Sequence, residues 1–301
     1  HFGRVDAATT PADDQLAVVS CEAPALRVVA PAGSGKTRTM VVWAVDRARQ
    51  LADEGAEGRS VVAMSFTKRA SAELSARIAA ALRREGLDDD LVTVSTFHSF
   101  GARIVTEFGW ILGIRSERNL LADAAQRVIM ERAFDRITLD ADDHDTWFPR
   151  LLGHATKLAG ALYEEDGWHS SPSSWQRSRV ASLEPNLVGL KRVPSEVEVA
   201  LSVARRRADL LAAAEAYREV KVEMGITDYG DLLTDVVRLV EVDEVRAALV
   251  ARHPYLIVDE YQDTNVVQRR LLQRLHSTGK QQLVVVGDRA QAIYGFRGAT
   301  V

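Results

Sequence analysis

The chain has 301 residues, of which 47% are hydrophobic and 27% are charged, and its formal net charge is −4. This composition excludes a disordered chain and is typical of a globular protein large enough for two domains. It gives no general support for nucleic-acid binding, so any DNA site would have to be a local groove.

Nothing in the sequence indicates a membrane or secreted protein. No uninterrupted apolar stretch is long enough to span a membrane, and the first ten residues lack the layout of a secretion signal. Cys21 is the single cysteine, which excludes a disulfide framework and a cysteine zinc cluster within the chain. We therefore expect a cytoplasmic protein without membrane contact or zinc, and the preference for arginine over lysine favours a bacterial source. The ends at His1 and Val301 lead us to expect a piece of a longer protein.

Short apolar runs alternate with helical patterns over the first hundred residues. The runs lie at 26–30, 60–66 and 91–97, and helices are predicted from residue 36 to about 51 and over 70–85. Leu74, Ile78 and Leu82 recur every four residues and predict the buried face of the second helix. The alternation is typical of βαβ units and a parallel sheet.

Residues 30–37 read APAGSGKT, between the first run and the first helix. The pattern resembles the phosphate-binding loop G-x-x-x-x-G-K-[ST], and Ala30 is acceptable at its first position because that residue leaves a strand and needs only to be small. We expect the loop residues Ala32, Gly33, Ser34 and Gly35 to turn backbone N–H groups towards a polyphosphate. Lys36 would bring a charge to the phosphates, and Thr37 would offer a hydroxyl to Mg²⁺.

From about residue 101 to 224 the pattern is helical, with helices predicted over 124–137, 147–163 and 199–224 and a loop over 167–178. The α/β pattern then resumes with strands in 255–260 and 281–288 and a helix over 265–276. We therefore predict a discontinuous α/β domain, residues 1–101 with 225–301, interrupted by an all-helical inserted domain at 102–224.

Candidate catalytic residues follow the last two strands. Asp259 ends a buried apolar run, where ligands lie in open α/β sheets, and could hold Mg²⁺ together with Thr37. Glu260 could orient or deprotonate a water molecule, and Gln291 could sense a γ-phosphate. In isolation, Asp259 and Glu260 could equally be surface carboxylates after an edge strand.

Six segments together resemble a known family, in the order APAGSGKTR, SFTKRASAEL, VSTFHSFG, ITDYGDLL, IVDEYQDT and VVVGDRAQAIYGFRGA. They are similar to the first six motifs of superfamily 1 DNA helicases of the UvrD, PcrA and Rep type. The resemblance implies a RecA-like P-loop NTPase fold, with helices on both faces of the sheet. It also implies ATP and Mg²⁺ as cofactors and 3′-to-5′ movement on single-stranded DNA and at junctions with duplex, in repair or recombination.

The resemblance also assigns roles to individual residues. Gln15 would read the adenine edge and Arg38 would pack on the adenine, although Ala12 stands where the family usually has asparagine. The predicted DNA contacts are base stacking by three aromatic residues and strand contacts by two more residues, which are Phe66, Tyr294, Phe296, Thr96 and His98. Stacking accepts any base and is therefore independent of sequence. For His98 a buried, hydrogen-bonded histidine is the alternative, and core packing is the alternative for the last two aromatics.

Three alternatives to an ATP-driven helicase remain open at this point. They are a nucleic-acid-binding module switched by nucleotide, the ATPase part of a helicase-nuclease, and an unrelated P-loop kinase or transport ATPase. The resemblance places charge-stabilising arginines in a second RecA-like domain, so we expect this piece to bind Mg·ATP and DNA but to hydrolyse and unwind poorly.

Overall fold

The structure is a computed structural model that describes residues 12–31, 33–114, 119–120, 123–138, 172–183 and 194–292. Its strands are β1 Ala25–Val29, β2 Val61–Ser65, β3 Val92–Thr96, β4 Asn119–Leu120, β5 Ile226–Thr227, β6 Tyr255–Val258 and β7 Gln282–Gly287. Its helices are α1 Asp13–Val19, α2 Lys36–Asp53, α3 Lys68–Arg84, α4 Phe97–Phe108, α5 Asp123–Phe134, α6 Pro172–Leu183, α7 Ser195–Met224, α8 Tyr229–Glu241, α9 Asp243–Arg252 and α10 Val266–His276. Short 3₁₀ helices include Tyr261–Asp263 and Arg289–Gln291.

The chain divides into two compact units. The first contains the residues up to Ile114 and from Asp235, and the second contains those from Arg115 to Thr234. The predicted domain limits, after residues 101 and 224, differ from these boundaries. α4 runs through residue 101, and Lys221 donates hydrogen bonds to Asp228 and Asp231, both at 2.7 Å. The assignment of the two segments to an ATP-binding and an inserted domain stays a prediction.

A five-stranded sheet forms the centre of the first unit. Its order is β1-β7-β6-β2-β3, every neighbouring pair is parallel, and helices flank it. The register pairs Val29 with Gly287 and Val258 with Val285. The carboxyl ends of β1, β7 and β6 therefore lie side by side. The predicted α/β class with a parallel, RecA-like sheet is confirmed.

The main core of this unit lies where α2 and α3 pack on the sheet. Leu74, Ile78 and Leu82 are all buried, as their spacing predicted. Trp43 is fully buried on α2, and its ring meets Tyr255 of β6 edge-on, with 6.3 Å between the centroids. Large apolar and aromatic side chains at this face thus fix α2, whose first turn follows the glycine-rich loop.

The second unit is helical in its described part, apart from the short parallel pair β4 and β5. Its core joins α5 to α7 through Met130, Phe134 and Tyr217. The predicted helices at 124–137 and 199–224 are present as α5 and α7, whereas the predicted helix at 147–163 lies outside the described residues. No helix in the described part of the chain is both long and apolar enough to cross a membrane.

The loop predicted over 167–178 is wrong from residue 172 onwards, because α6 begins there. Pro172 occupies the first helical position, where its missing N–H is not needed. The backbone N–H and hydroxyl of Ser173 both donate to Glu215 on α7, at 3.0 and 2.5 Å. A Ser- and Pro-marked segment therefore starts a helix here, and a partner on α7 stabilises that start. We predicted no elements between 225 and 254, where the structure has α8 and α9.

A buried arginine joins α1 to α2 and β7. Arg47 of α2 is 4% exposed and donates to the backbone oxygens of Val19 and Cys21, 2.9 and 3.2 Å away. It also donates to the side chain of Gln282 at 2.9 Å, which itself donates to Cys21 O at 2.8 Å. These bonds satisfy backbone carbonyls that α1 leaves unpaired where it ends.

Replacing Arg47 with methionine should therefore lower the free energy of unfolding by roughly 2–4 kcal/mol, because several buried acceptors lose their donor. Arg49, two residues further along α2, is the matched control. It is 39% exposed and pairs with Asp46 and Glu85 at the surface, so Arg49→Met should cost about 1 kcal/mol or less. Urea unfolding measures both, and equal effects of the two substitutions would contradict the role given to Arg47.

Candidate functional site

The glycine-rich loop joins the end of β1 to the first turn of α2. Gly33 and Gly35 have φ angles of +78° and +85°, which residues with a Cβ rarely adopt. The hydroxyl of Ser34 donates to Pro31 O at 2.8 Å. Gly35 directly precedes α2, and Thr37 is its second residue, half-buried. The loop therefore presents a helix N-terminus of the kind that binds anions. Ala32 lies outside the described residues.

Gln15 of α1 lies against this loop. Its Nε2 donates to Ser34 O at 3.2 Å, and its Oε1 accepts from the N–H of Ala12. A Cβ on residue 35 would come within 2.5 Å of Gln15 Nε2. The backbone angle thus favours glycine at position 35, and a Cβ there would also displace the end of the Gln15 side chain. Nearby in sequence, Arg38 has a buried Nη2 without a hydrogen-bond partner in the described structure.

Lys36 forms an ion pair with Glu260. Its Nζ lies 3.3 Å from Glu260 Oε2, with side-chain exposures of 11% for the lysine and 37% for the glutamate. Glu260 has φ +49°, and it is the one residue other than glycine with positive φ in the part of the chain that the structure describes. Such a conformation costs about 1–3 kcal/mol and persists only where the surroundings hold it. Here Lys36 and Gln262 hold the side chain.

Asp259 follows β6 and lies beside the same charges. Its backbone N–H donates to Met64 O at 2.9 Å, and its Oδ1 accepts from the N–H of Glu260. Burial, together with the negative charge of Glu260, raises the pKa of Asp259 to about 6, and the charge of Lys36 acts in the opposite direction. A desolvated carboxylate of this kind is stabilised by a cation, so its environment suits a metal ligand.

The residues that follow β7 complete the cluster. Gln291 Nε2 donates to Asp288 Oδ2 at 2.7 Å, and this bond lowers the pKa of Asp288, as do the N–H of Ala290 and the charge of Lys36. The N–H of Asp288 donates to Gln262 Oε1 at 3.0 Å. The structure therefore brings Lys36, Glu260 and the Asp288–Gln291 turn together at the adjacent ends of β1, β6 and β7.

Comparison with known proteins identifies the family of the chain. The sequence profile of the UvrD/REP helicase N-terminal domain matches residues 12–301. The chain belongs to the UvrD/REP helicase N-terminal domain family.

Individual relatives carry related names. An ATP-dependent DNA helicase PcrA of Leuconostoc citreum is 29% identical over 95% of this chain and 33% of its own length. An ATP-dependent DNA helicase PcrA of Staphylococcus aureus strain Mu50 is 28% identical over 95% of this chain and 34% of its own length. A probable DNA helicase II homolog of Rickettsia conorii is 28% identical over 96% of this chain and 38% of its own length. The chain thus spans about a third of the length of these relatives.

The predicted DNA-contacting residues of this family member are described only in part. Phe66 directly follows β2 and is half-buried. The register pairs Ser65 with Thr96, so Phe66 leaves the sheet beside the start of α4. Thr96 Oγ1 accepts from the N–H of Ser99 and caps α4. Tyr294 and Phe296 lie outside the described residues.

His98 is half-buried in the first turn of α4, and burial lowers its pKa. The side chain is therefore a neutral imidazole near pH 7, which can donate and accept one hydrogen bond each. A neutral ring gives no charge attraction to a phosphate backbone. Its DNA contact stays a prediction, alongside the structural alternative.

Sequence reasoning missed Gln262 and Asp288 as parts of this cluster. Gln262 is 6% exposed and contacts both Glu260 and Asp288. The sequence signal for this contact was Gly287, which directly precedes Asp288. A Cβ there would overlap Gln262 Oε1 and would lie 3.1 Å from the backbone N of Tyr261. A glycine that ends a buried strand thus marked a close approach by another segment.

The ionised form of Asp259 should destabilise the chain in the absence of ligand. Its pKa is about 6 in the fold against an ordinary value of 3.8, so the folded state binds the proton more tightly and stability falls as pH rises through that window. Asp259→Asn removes the charge, and the free energy of unfolding at pH 8 should increase by roughly 1–3 kcal/mol. The gain should shrink towards pH 4.

Urea unfolding at both pH values measures this effect. Asp288→Asn is the control, because hydrogen bonding lowers the pKa of Asp288 and the substitution should bring no gain at pH 8. An Asp259→Asn chain that is no more stable than the parent at pH 8 would show that the carboxylate is not destabilised by burial.

Proposed function

We propose that this chain is the ATP-binding N-terminal part of a DNA helicase of the UvrD type. The observation that carries the proposal is the cluster of Lys36, Glu260 and the Asp288–Gln291 turn at three adjacent strand ends. These neighbouring strand ends carry a charged loop, two carboxylates and an amide, which together suit one nucleoside triphosphate. The proposed whole protein moves 3′-to-5′ on single-stranded DNA, acts at junctions with duplex, and serves repair or recombination in the bacterial cytoplasm.

Nucleotide binding would use the loop and α1. Lys36 and the backbone N–H groups of Gly33 to Thr37 would hold the phosphates at the N-terminus of α2. Gln15 already lies against the loop, with its amide 3.2 Å from Ser34 O, and it would read the adenine edge. The unpartnered Nη2 of Arg38 is consistent with packing of that guanidinium on the base.

The residues present also suit Mg²⁺. Among the described residues, no group of three or more His, Cys, Asp and Glu side chains could hold a metal ion. Mg²⁺ does not need such a group, since one or two carboxylates with phosphate oxygens and water molecules usually hold it. Asp259 and the hydroxyl of Thr37 would supply the protein ligands. The ion would neutralise charge on the transferred phosphoryl group.

Hydrolysis would depend on Glu260 and Gln291. Lys36 is paired with Glu260 in this structure, at 3.3 Å, and nucleotide phosphates would compete with Glu260 for that lysine. Glu260, once released, could accept a proton from a water molecule, while Gln291 would contact the γ-phosphate. The family resemblance places charge-stabilising arginines in a second RecA-like domain, and such groups contribute about 10³–10⁵ in rate.

DNA binding would use the strand ends next to the nucleotide site. Phe66 follows β2, and Thr96 and His98 lie where β3 meets α4. Together with Tyr294 and Phe296 they would stack on bases and contact the strand, each stacked base contributing about 1–3 kcal/mol. Because stacking does not read sequence, the proposed site would suit a motor that moves along any strand.

Replacing Glu260 with glutamine tests the proposed chemistry. We expect nucleotide affinity to stay within about threefold of the parent, because the phosphate ligands are intact. Phosphate release in the presence of oligo(dT) should fall by roughly 10²-fold or more, since a general base is lost. Fluorescent-nucleotide titration and a phosphate-release assay measure the two effects.

Two further variants serve as controls for that experiment. Lys36→Ala should abolish nucleotide binding, and Glu57→Gln, at an exposed position in the loop after α2, should change neither quantity. Unchanged phosphate release in Glu260→Gln would reject the base role and would favour a nucleotide-switched binding module instead.

A further inference from the structure

The side chain of Gln262 spans the gap between two strand ends. Its Nε2 donates to Glu260 Oε2 at 2.7 Å, and its Oε1 accepts from the backbone N–H of Asp288 at 3.0 Å. Glu260 Oε2 is the same oxygen that pairs with Lys36. One planar amide thus connects the lysine–glutamate pair after β1 and β6 to the first residue after β7.

An amide suits the chemistry of the two neighbours at this position. A carboxylate oxygen needs a donor and a backbone N–H needs an acceptor, and the planar amide of glutamine offers both from separate atoms of one terminal group. A glutamate would face Glu260 with a second negative charge, and leucine would offer neither bond. Gln262 is 6% exposed, so solvent would not readily replace the lost partners.

The surrounding backbone is built closely around this amide. The missing Cβ of Gly287 leaves room for Gln262 Oε1, which a side chain there would overlap. The strained φ of Glu260, +49°, places the carboxylate next to the amide. Asp288 in turn accepts from Gln291 at 2.7 Å and from the N–H of Ala290 at 3.0 Å. An ion pair and hydrogen bonds therefore connect Lys36 to Gln291 through Glu260, Gln262 and Asp288.

We propose that Gln262 is a positioning residue that couples the nucleotide site to the segment after β7. The inference rests on the proposed function and extends it to a residue to which we gave no part in binding or chemistry. When phosphates draw Lys36 away from Glu260, the carboxylate becomes free to move, and the amide transmits that movement to the backbone of Asp288. Tyr294 and Phe296 follow Gln291 by three and five residues in the sequence, so we expect a shift of the Asp288–Gln291 turn to change the affinity for DNA.

The coupling can be measured as a ratio of affinities. The dissociation constant of fluorescein-labelled oligo(dT) is determined for this chain with and without Mg²⁺ and a non-hydrolysable ATP analogue. Coupling between two sites usually changes affinity by about 5–150-fold, and we expect a ratio in that range for the parent. Gln262→Leu should reduce it to within about twofold of unity, while the affinity for the nucleotide alone changes much less.

Gln268 provides a matched control. It is also a buried glutamine, 4% exposed, but its Oε1 accepts from the N–H of Asn265 and only caps α10. Gln268→Leu should therefore lower thermal stability and leave the ratio unchanged. Gln262→Glu is a second test variant, which keeps the acceptor for Asp288 and loses the donor for Glu260, and it should lose the coupling at pH 8.

The outcomes separate the inference from the proposed function. A parent chain that does not bind the nucleotide overturns both. A parent chain with coupling, together with folded Gln262→Leu and Gln262→Glu variants that keep it, overturns the inference alone. Loss of coupling in both Gln262 variants with retention in Gln268→Leu supports it, and equal loss in all three overturns it in favour of a general loss of stability.

Discussion

Parallel pairing of β1 with β7 and of β7 with β6 is the constraint on which the rest of the site depends. Parallel strands end at the same edge of a sheet, so segments more than 200 residues apart in sequence meet there. The pairs Val29 with Gly287 and Val258 with Val285 set that edge to within two residues. The buried faces of α2 and α3 and the bonds of Arg47 hold the sheet and its first helix in this arrangement.

The site that results contains groups in energetically unfavourable states, which a bound ligand would relieve. Asp259 and Glu260 are adjacent carboxylates, and Lys36 is close enough to act on Asp259, Glu260 and Asp288. Burial raises the pKa of Asp259 to about 6, and Glu260 has a strained backbone. A cation would neutralise the charge of Asp259, and a polyphosphate would pair with Lys36. Destabilised groups of this kind are common where function needs them.

Local pattern was sufficient to predict the five strands of the sheet, the helices α2, α3 and α10, and the loop with Lys36. The spacing of Leu74, Ile78 and Leu82 and the apolar run before Asp259 are periodic signals that read directly as burial. The start of α6 at Pro172 was missed because a contact with Glu215, distant in sequence, stabilises it. Gln262 was missed for the same reason, since its partner Asp288 becomes a neighbour only when β6 and β7 pair. The roles of Phe66, Thr96 and His98 in DNA binding stay predictions.

A crystal structure of this chain with Mg²⁺ and a non-hydrolysable ATP analogue tests the central claim most directly. We expect the triphosphate to lie on the N-terminus of α2, with Lys36 turned from Glu260 to the phosphate oxygens. Asp259 and Gln291 should face the same nucleotide from the ends of β6 and β7. A nucleotide bound elsewhere, or one that contacts Lys36 while Asp259 and Gln291 face away from it, would contradict the claim that these strand ends form one site.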